Sequence, residues 1–199
     1  MLVLASASPR RSELLTQAGF SFQVYPAHIP EDPLEGEDPL TYVTRLAREK
    51  AKAVFRELNA KNGLTGSAGV DGKSSLAVLG ADTTVTLDNH ILGKPEDAAD
   101  AARMLRLLSG RTHRVITGVA LVTAEGAEVA AEATAVRFLD LTEEEIAAYV
   151  ATGEPMDKAG AYAIQGRAAR WIPRIEGCYF NVVGLPLALV AGMLESRKR

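Results

Sequence analysis

The sequence contains a single cysteine, Cys178, and three histidines. One cysteine cannot form an internal disulfide or a metal site built from several thiolates. The histidines, His28, His90 and His113, lack the close spacing of a zinc site. These shortages exclude a disulfide-stabilised fold and a typical zinc centre, and we expect His113 to be a structural hydrogen-bonding residue.

Long apolar runs and a strong excess of one charge are also missing. The longest apolar run, residues 182 to 194, is broken by Pro186 and is shorter than the roughly 18 residues of a membrane-spanning helix. Pro9 and Arg10 interrupt the apolar N-terminus too early for a signal peptide. The net charge of -3 gives no general attraction to nucleic acid or anionic membranes. We therefore expect a cytoplasmic protein without a nucleic-acid or membrane partner.

The sequence has no P-loop and no dinucleotide-type glycine fingerprint. Its N-terminus instead predicts a strand at residues 2 to 5, a turn, and a helix with Ser8 as N-cap and Pro9 in the first helical position. Arg10 and Arg11 then oppose the helix macrodipole, at a cost of about 0.3 to 1 kcal/mol each unless an anion binds there. The segment is either a phosphate-binding site or a helix end with a solvated arginine pair.

Helix and strand patterns alternate along the rest of the chain. Helices are predicted at residues 39–58, 95–110 and from 186 onwards, and strands at 76–87 and on both sides of 125–126. Thr142 and Glu145 form a capping box. Further strand-like segments are residues 161–164, 171–175 and 180–183. The pattern predicts one α/β domain over residues 1–199, with a mixed central sheet flanked by helices, and a flexible surface loop at residues 59–75.

Two acidic residues are candidates for the chemistry. Asp82 follows the apolar run 76–81, where an ionised carboxylate must be paired, solvated in a cleft or bound to metal. The alternative is an aspartate at a strand end that accepts hydrogen bonds from Thr83 and Thr84. Glu31 could join Asp82 in holding a divalent cation such as Mg2+, which prefers oxygen ligands. The alternative for Glu31 is an ordinary acidic residue of a surface loop.

Basic residues form the second group of candidates. Lys50 borders the apolar face of the predicted helix, and Lys94 and Lys158 lie near turns or glycines. Any one lysine is usually solvated surface. Together with Arg10 and Arg11, however, they would match the charge of a triphosphate, which must be neutralised during attack on phosphorus.

Several short motifs occur in a fixed order along almost the whole chain. They are LASASPRR (residues 4–11), LAREKA (46–51), GADTTV (80–85), GKP (93–95), LSGRTH (108–113), DKAGAYAIQG (157–166) and VGLP (183–186). With these motifs the chain resembles the Maf family of nucleoside triphosphate pyrophosphatases, once named for inhibition of septum formation. The resemblance implies a two-lobed Maf/ITPase-like fold with a cleft, and a homodimer.

The resemblance also implies an activity and its residues. The reaction is hydrolysis of a nucleoside triphosphate between the α and β phosphates, with Asp82 as the base that activates water. Mg2+ or Mn2+ would be held by Asp82 and Glu31. The substrate-binding residues implied are Ser8, Arg10, Arg11, Lys50, Thr83, Lys94, Lys158 and Gln165.

Substrate choice follows from the segment between Lys158 and Gln165, which resembles the subgroup acting on dTTP and UTP. Arg10, Thr83 and Gln165 occupy the positions associated there with substrate choice. Two alternatives stay open at this point. One is the subgroup that prefers 7-methyl-GTP, and the other is a non-catalytic regulator of cell division.

Overall fold

The structure, a computed structural model, describes residues 1–64 and 76–196. Its strands are β1 (Leu2–Leu4), β2 (Gln23–Val24), β3 (Ala77–Leu87), β4 (His90–Leu92), β5 (Thr112–Thr123), β6 (Gly126–Arg137) and β7 (Arg174–Glu176). Its α-helices are α1 (Pro9–Gln17), α2 (Pro39–Leu64), α3 (Ala98–Leu108), α4 (Glu143–Val150), α5 (Tyr179–Val183) and α6 (Leu187–Ser196). Short 3-10 turns occupy Glu154–Asp157, Ala159–Ala161 and Arg167–Trp171. The predicted α/β class is confirmed.

The strands form one mixed sheet in the order β2-β1-β3-β5-β6-β7, with β4 paired to β3. β1 runs parallel to β2 and β3, whereas the remaining pairs are antiparallel. The sheet separates two apolar clusters. The smaller one packs beneath α2 and includes Ala47, Ala51 and Val78. The larger one, on the opposite face, includes Leu15 of α1 and Leu105 of α3.

Helix α2 lies unusually close to the sheet at two glycines. A β-carbon added at Gly80 would lie 2.1 Å from the carbonyl oxygen of Ala47, and one at Gly118 would lie 2.4 Å from that of Val43. Such contacts are far inside van der Waals distance, so only glycine fits at these sites. The helix therefore packs directly on the backbones of β3 and β5.

The structure corrects the predicted end of this helix. α2 continues to Leu64 instead of ending at residue 58, so residues 59–64 are not part of a loop. An ion pair between Glu57 and Lys61, at 2.8 Å, spans one turn across the predicted boundary and favours the helix there. Residues 65–75, the rest of the predicted flexible loop, lie outside the described residues.

The C-terminal third contains fewer strands than predicted. Residues 180–183 belong to helix α5, none of residues 161–164 lies in a strand, and within 171–175 only the last two residues enter β7. Short apolar runs fit a strand or a buried helix equally well, so tertiary contacts decide. Here the Asn181 side chain anchors α5 by donating to Val115 O and Thr134 Oγ1, both at 2.9 Å. The hairpin β5–β6 and the capping box at Thr142 are confirmed.

Candidate active site

A cleft of about 410 Å³ opens where the β1–α1 turn, β3, α2 and residues 157–165 meet. The β1–α1 turn and residues 157–165 meet the middle of β3 and of α2 here, which brings side chains distant in sequence together. The cleft is lined by all the site residues predicted from the sequence: Ser8, Arg10, Arg11, Glu31, Lys50, Asp82, Thr83, Lys94, Lys158 and Gln165. The catalytic and binding roles predicted for them stay predictions, but their assembly into one cleft is observed.

The acidic part of the cleft is organised around Lys50. Its Nζ lies 2.7 Å from Asp82 Oδ1 and 2.8 Å from Glu31 Oε1. Asp82 is buried in the middle of β3, and burial raises the pKa of its carboxyl against the opposing charges of Lys50 and Arg11. A carboxylate with a raised pKa in a cleft is suited to proton transfer.

The two arginines of α1 differ in their surroundings. The guanidinium of Arg11 is hydrogen bonded within the protein. It donates to Gly184 O at 2.8 Å, Ser6 Oγ at 3.0 Å and Thr83 Oγ1 at 2.9 Å. Burial lowers the pKa of its guanidinium. Arg10 is more open and contacts Asp157 at 3.3 Å. Arg10, with a single contact to Asp157, therefore has more N–H groups free for a bound anion than Arg11, which uses three of its five.

The N-terminus of α1 faces the same cleft. Ser8 occupies the N-cap position, as predicted, but its hydroxyl makes no capping hydrogen bond with the helix. Its own backbone N–H instead donates to Ser6 Oγ at 3.2 Å. The first turn of α1 thus lacks the usual side-chain cap, which favours an anion at this position.

The remaining basic residues flank the opposite wall. Lys158 donates to Asp157, the same carboxylate that contacts Arg10. Lys94 is exposed, and the backbone beside it is tied to this wall because Gly160 N donates to Gly93 O at 3.0 Å. Asp157 therefore balances two cations that would otherwise be available to a polyanionic ligand.

The donor set fits a magnesium-type ion that shares its ligands with a substrate. Among residues 1–64 and 76–196, no group of three or more His, Cys, Asp or Glu side chains could hold a metal ion. Glu31 and Asp82 are the available carboxylate pair, and Lys50 lies between them. Mg2+ is commonly bound by one or two carboxylates together with phosphate oxygens and water, so two carboxylates suffice when a triphosphate is present.

Sequence reasoning missed the residues that position Glu31. The Tyr42 hydroxyl donates to Glu31 O at 2.8 Å, and burial raises the pKa of Tyr42 to about 12. Arg45 donates to Asp32 O, next to Glu31, at 3.1 Å and is itself held by both carboxylate oxygens of Glu37 at 2.6 and 2.7 Å. The signal was weak but present, because Tyr42 lies eight residues before Lys50 and therefore on the same face of α2.

Comparison with known proteins agrees with this geometry. The family model described as "Maf-like protein" matches residues 1–197. A dTTP/UTP pyrophosphatase of Koribacter versatilis is 53% identical over 98% of this chain and 93% of its own length. Proteins of the same name from Geobacter sp. and Geobacillus sp. are 54% and 51% identical, over 98% and 94% of this chain and 94% and 92% of their own lengths.

Proposed function

This chain belongs to the Maf family, and we propose from this that it is a nucleotide pyrophosphatase that hydrolyses dTTP and UTP to the monophosphate and pyrophosphate. The observation that carries the proposal is the buried Asp82 carboxylate in a cleft lined by Arg10, Lys50, Lys94 and Lys158. Such a cleft suits a triphosphate, which needs counter-charge, and a water nucleophile, which needs a base. The relatives' shared name supports thymine and uracil as the nucleobases of the substrate.

Asp82 takes the proton of the attacking water in this proposal. The water oxygen bonds to the α phosphorus as the bond from that phosphorus to the bridging oxygen breaks, and pyrophosphate leaves. Arg10, Lys94 and Lys158 bind phosphate oxygens, together with the uncapped N-terminus of α1. Lys50 holds Asp82 and Glu31 in place and offsets their charge.

Glu31 and Asp82 are the residues that would hold a divalent cation, Mg2+ or Mn2+. When bound, that cation would supply Lewis-acid polarisation and charge neutralisation at the phosphates. Gln165, which lines the cleft, reads the base in this proposal, because its planar amide offers one acceptor and two donor hydrogens to the edge of uracil or thymine. A homodimer working in the cytoplasm, without nucleic acid, remains part of the proposal. Among the described residues no helix is long and apolar enough to cross a membrane.

The test is a nucleotide panel. Purified protein with Mg2+ should release pyrophosphate from dTTP and UTP faster than from CTP, purine triphosphates or 7-methyl-GTP. Asp82→Asn should lower this rate by about 100- to 10,000-fold, the usual contribution of a general base. Asp88→Asn is the matched control, because Asp88 lies just beyond the same strand and pairs with Arg111 at the surface. Absence of pyrophosphate from every nucleotide would contradict the proposal.

A further inference from the structure

Gln165 lies at the tip of a tight turn on the wall of the cleft. The turn is closed by Gly166 N, which donates to Ala163 O at 3.0 Å. Gln165 itself is exposed and its side chain makes no hydrogen bond with the described part of the chain, whereas Ile164 beside it is buried. The direction of the Gln165 amide therefore depends on how rigidly the backbone of residues 163–167 is held.

Two side chains from outside the cleft hold this backbone at both ends. Tyr149 of α4 accepts a hydrogen bond from Ala163 N at 3.2 Å and donates its own proton to Glu154 Oε1 at 2.8 Å. Glu154 Oε1 also accepts from Arg167 N at 3.1 Å. The two side chains form a continuous bridge that begins before Gln165 and ends after it.

The bridge is packed as well as hydrogen bonded. Tyr149 is only 2% exposed and meets Trp171 edge to face, with ring centroids 5.1 Å apart. A β-carbon at Gly166 would lie 1.9 Å from Glu154 Oε1, so the carboxylate fills the space beneath the turn. Glu154 O also accepts from Lys158 Nζ at 3.3 Å, which links this support to a residue proposed to bind phosphate.

We propose that Tyr149 and Glu154 are positioning residues that set the base preference of the enzyme by fixing the turn that carries Gln165. This inference rests on the proposed function. An amide distinguishes uracil or thymine from cytosine only when its donor and acceptor ends are held in one orientation. Neither side chain lines the cleft, and both act through the backbone of the turn.

The test compares base preference in four variants. Tyr149→Phe and Glu154→Ala each remove one end of the bridge, and we expect the ratio of kcat/KM for dTTP to that for CTP to fall about three- to tenfold. The change should lie mainly in the KM for dTTP, because the phosphates and Asp82 are untouched. Glu154→Gln keeps an acceptor oxygen and should retain most of the preference.

Glu145→Ala is the matched control. Glu145, an acidic residue of α4, also supports an aromatic side chain, accepting from Trp171 Nε1 at 3.2 Å, but it makes no hydrogen bond to residues 163–167. This variant should lower the melting temperature without changing the dTTP/CTP ratio. An equal loss of preference in this control would show that general destabilisation is the cause and would overturn the proposal.

A second measurement does not depend on the substrate. Amide hydrogen exchange of residues 163–167, followed by mass spectrometry in the free protein, should accelerate in Tyr149→Phe and Glu154→Ala but not in Glu154→Gln. Unchanged exchange and an unchanged dTTP/CTP ratio in folded variants would overturn the positioning role. A wild-type enzyme that does not prefer dTTP or UTP would instead contradict the proposed function, while the exchange result would still report on the bridge.

Discussion

Lys50 and Asp82 form a buried ion pair 2.7 Å long, and their side chains are only 9% and 10% exposed. Burial raises the pKa of Asp82, and the neighbouring charge of Lys50 opposes that rise. A base must be ionised to accept a proton, so activity should fall as the pH drops through the pKa of Asp82. The pKa that sets the fall of activity on the acid side of the pH profile, its acid limb, therefore depends on Lys50.

Replacing Lys50 should move that limb. In Lys50→Met the opposing positive charge is lost, so the pKa of Asp82 rises further and the acid limb of kcat/KM for dTTP shifts to higher pH. Lys50→Arg keeps the charge and should shift the limb less. The measurement is the pH dependence of initial rates at low substrate concentration. A limb that stays in place in Lys50→Met would remove Asp82 as the titrating group.

The two arginines of α1 should behave differently when replaced by alanine. Arg11→Ala removes three hydrogen bonds from a partly buried guanidinium and should cost about 1.5 to 3 kcal/mol of unfolding free energy. Arg10→Ala should change stability by less than about 0.5 kcal/mol and raise the KM for dTTP. Urea unfolding and initial rates measure the two effects. Equal stability of the two variants would contradict the stabilising role of the Arg11 hydrogen bonds.

Asp157 competes with a bound triphosphate for Arg10 and Lys158. Asp157→Asn should therefore lower the KM for dTTP, by up to about fivefold, because the cleft loses one negative charge and both cations become available. Glu176→Gln, which removes an exposed carboxylate paired with Arg174, is the control for net charge. A raised KM in Asp157→Asn would mean that this carboxylate orders the cations instead of competing for them.

Removal of divalent cations should abolish turnover, since Glu31 and Asp82 repel a triphosphate unless a cation lies between them. Mg2+ or Mn2+ should restore the rate. The melting temperature should not change on chelation, because Lys50 already forms an ion pair with each carboxylate in the free protein. Full activity after exhaustive chelation would contradict the requirement for a divalent cation. The basic residues alone would then balance the charge of the triphosphate.

His113 should make the free energy of unfolding depend on pH. Burial lowers the pKa of His113 from 6.5 to about 3, and its Nε2 lies 2.7 Å from the Tyr162 hydroxyl. The unfolded chain takes up a proton between these values and the folded protein does not. The contribution is therefore complete above the unfolded pKa and is lost at about 1.4 kcal/mol per pH unit as the pH falls through this window. We expect the unfolding free energies of the wild type and His113→Gln, measured by urea titration at a series of pH values, to differ in their pH dependence only within this window.

The sequence predicted the parts of the site that are local. The helix periodicity placed Lys50 beside the apolar face of α2, and the polar Asp82 stood out within an apolar strand. The sequence did not reveal that Lys50 contacts both carboxylates, because the order of strands and the approach of α2 to the sheet fix that contact. His113 was expected to be a structural hydrogen-bonding residue, and its contact with Tyr162 confirms this.

Other parts were predicted only through motifs or not at all. The sequence predicts that Arg11 binds phosphate, which stays a prediction, but it does not indicate the hydrogen bonds of Arg11 to Gly184, Ser6 and Thr83. Gly184 lies more than 170 positions further along the chain, so no local pattern could indicate this contact. Residues 180–183 were assigned to a strand because a short apolar run carries no decisive period, and the buried contacts of Asn181 made it a helix.

The direct contact between α2 and the sheet at Gly80 and Gly118 sets the distance between Lys50 on the helix and Asp82 on the sheet. Gly80 lies two residues from Asp82, and the carbonyl it touches belongs to Ala47, three residues from Lys50. Any side chain at Gly80 would push the whole helix outward and carry the lysine away from the carboxylate. The distance between Lys50 and Asp82 thus depends on the absence of a side chain at Gly80, and one added methyl group there would inactivate the enzyme without touching the substrate.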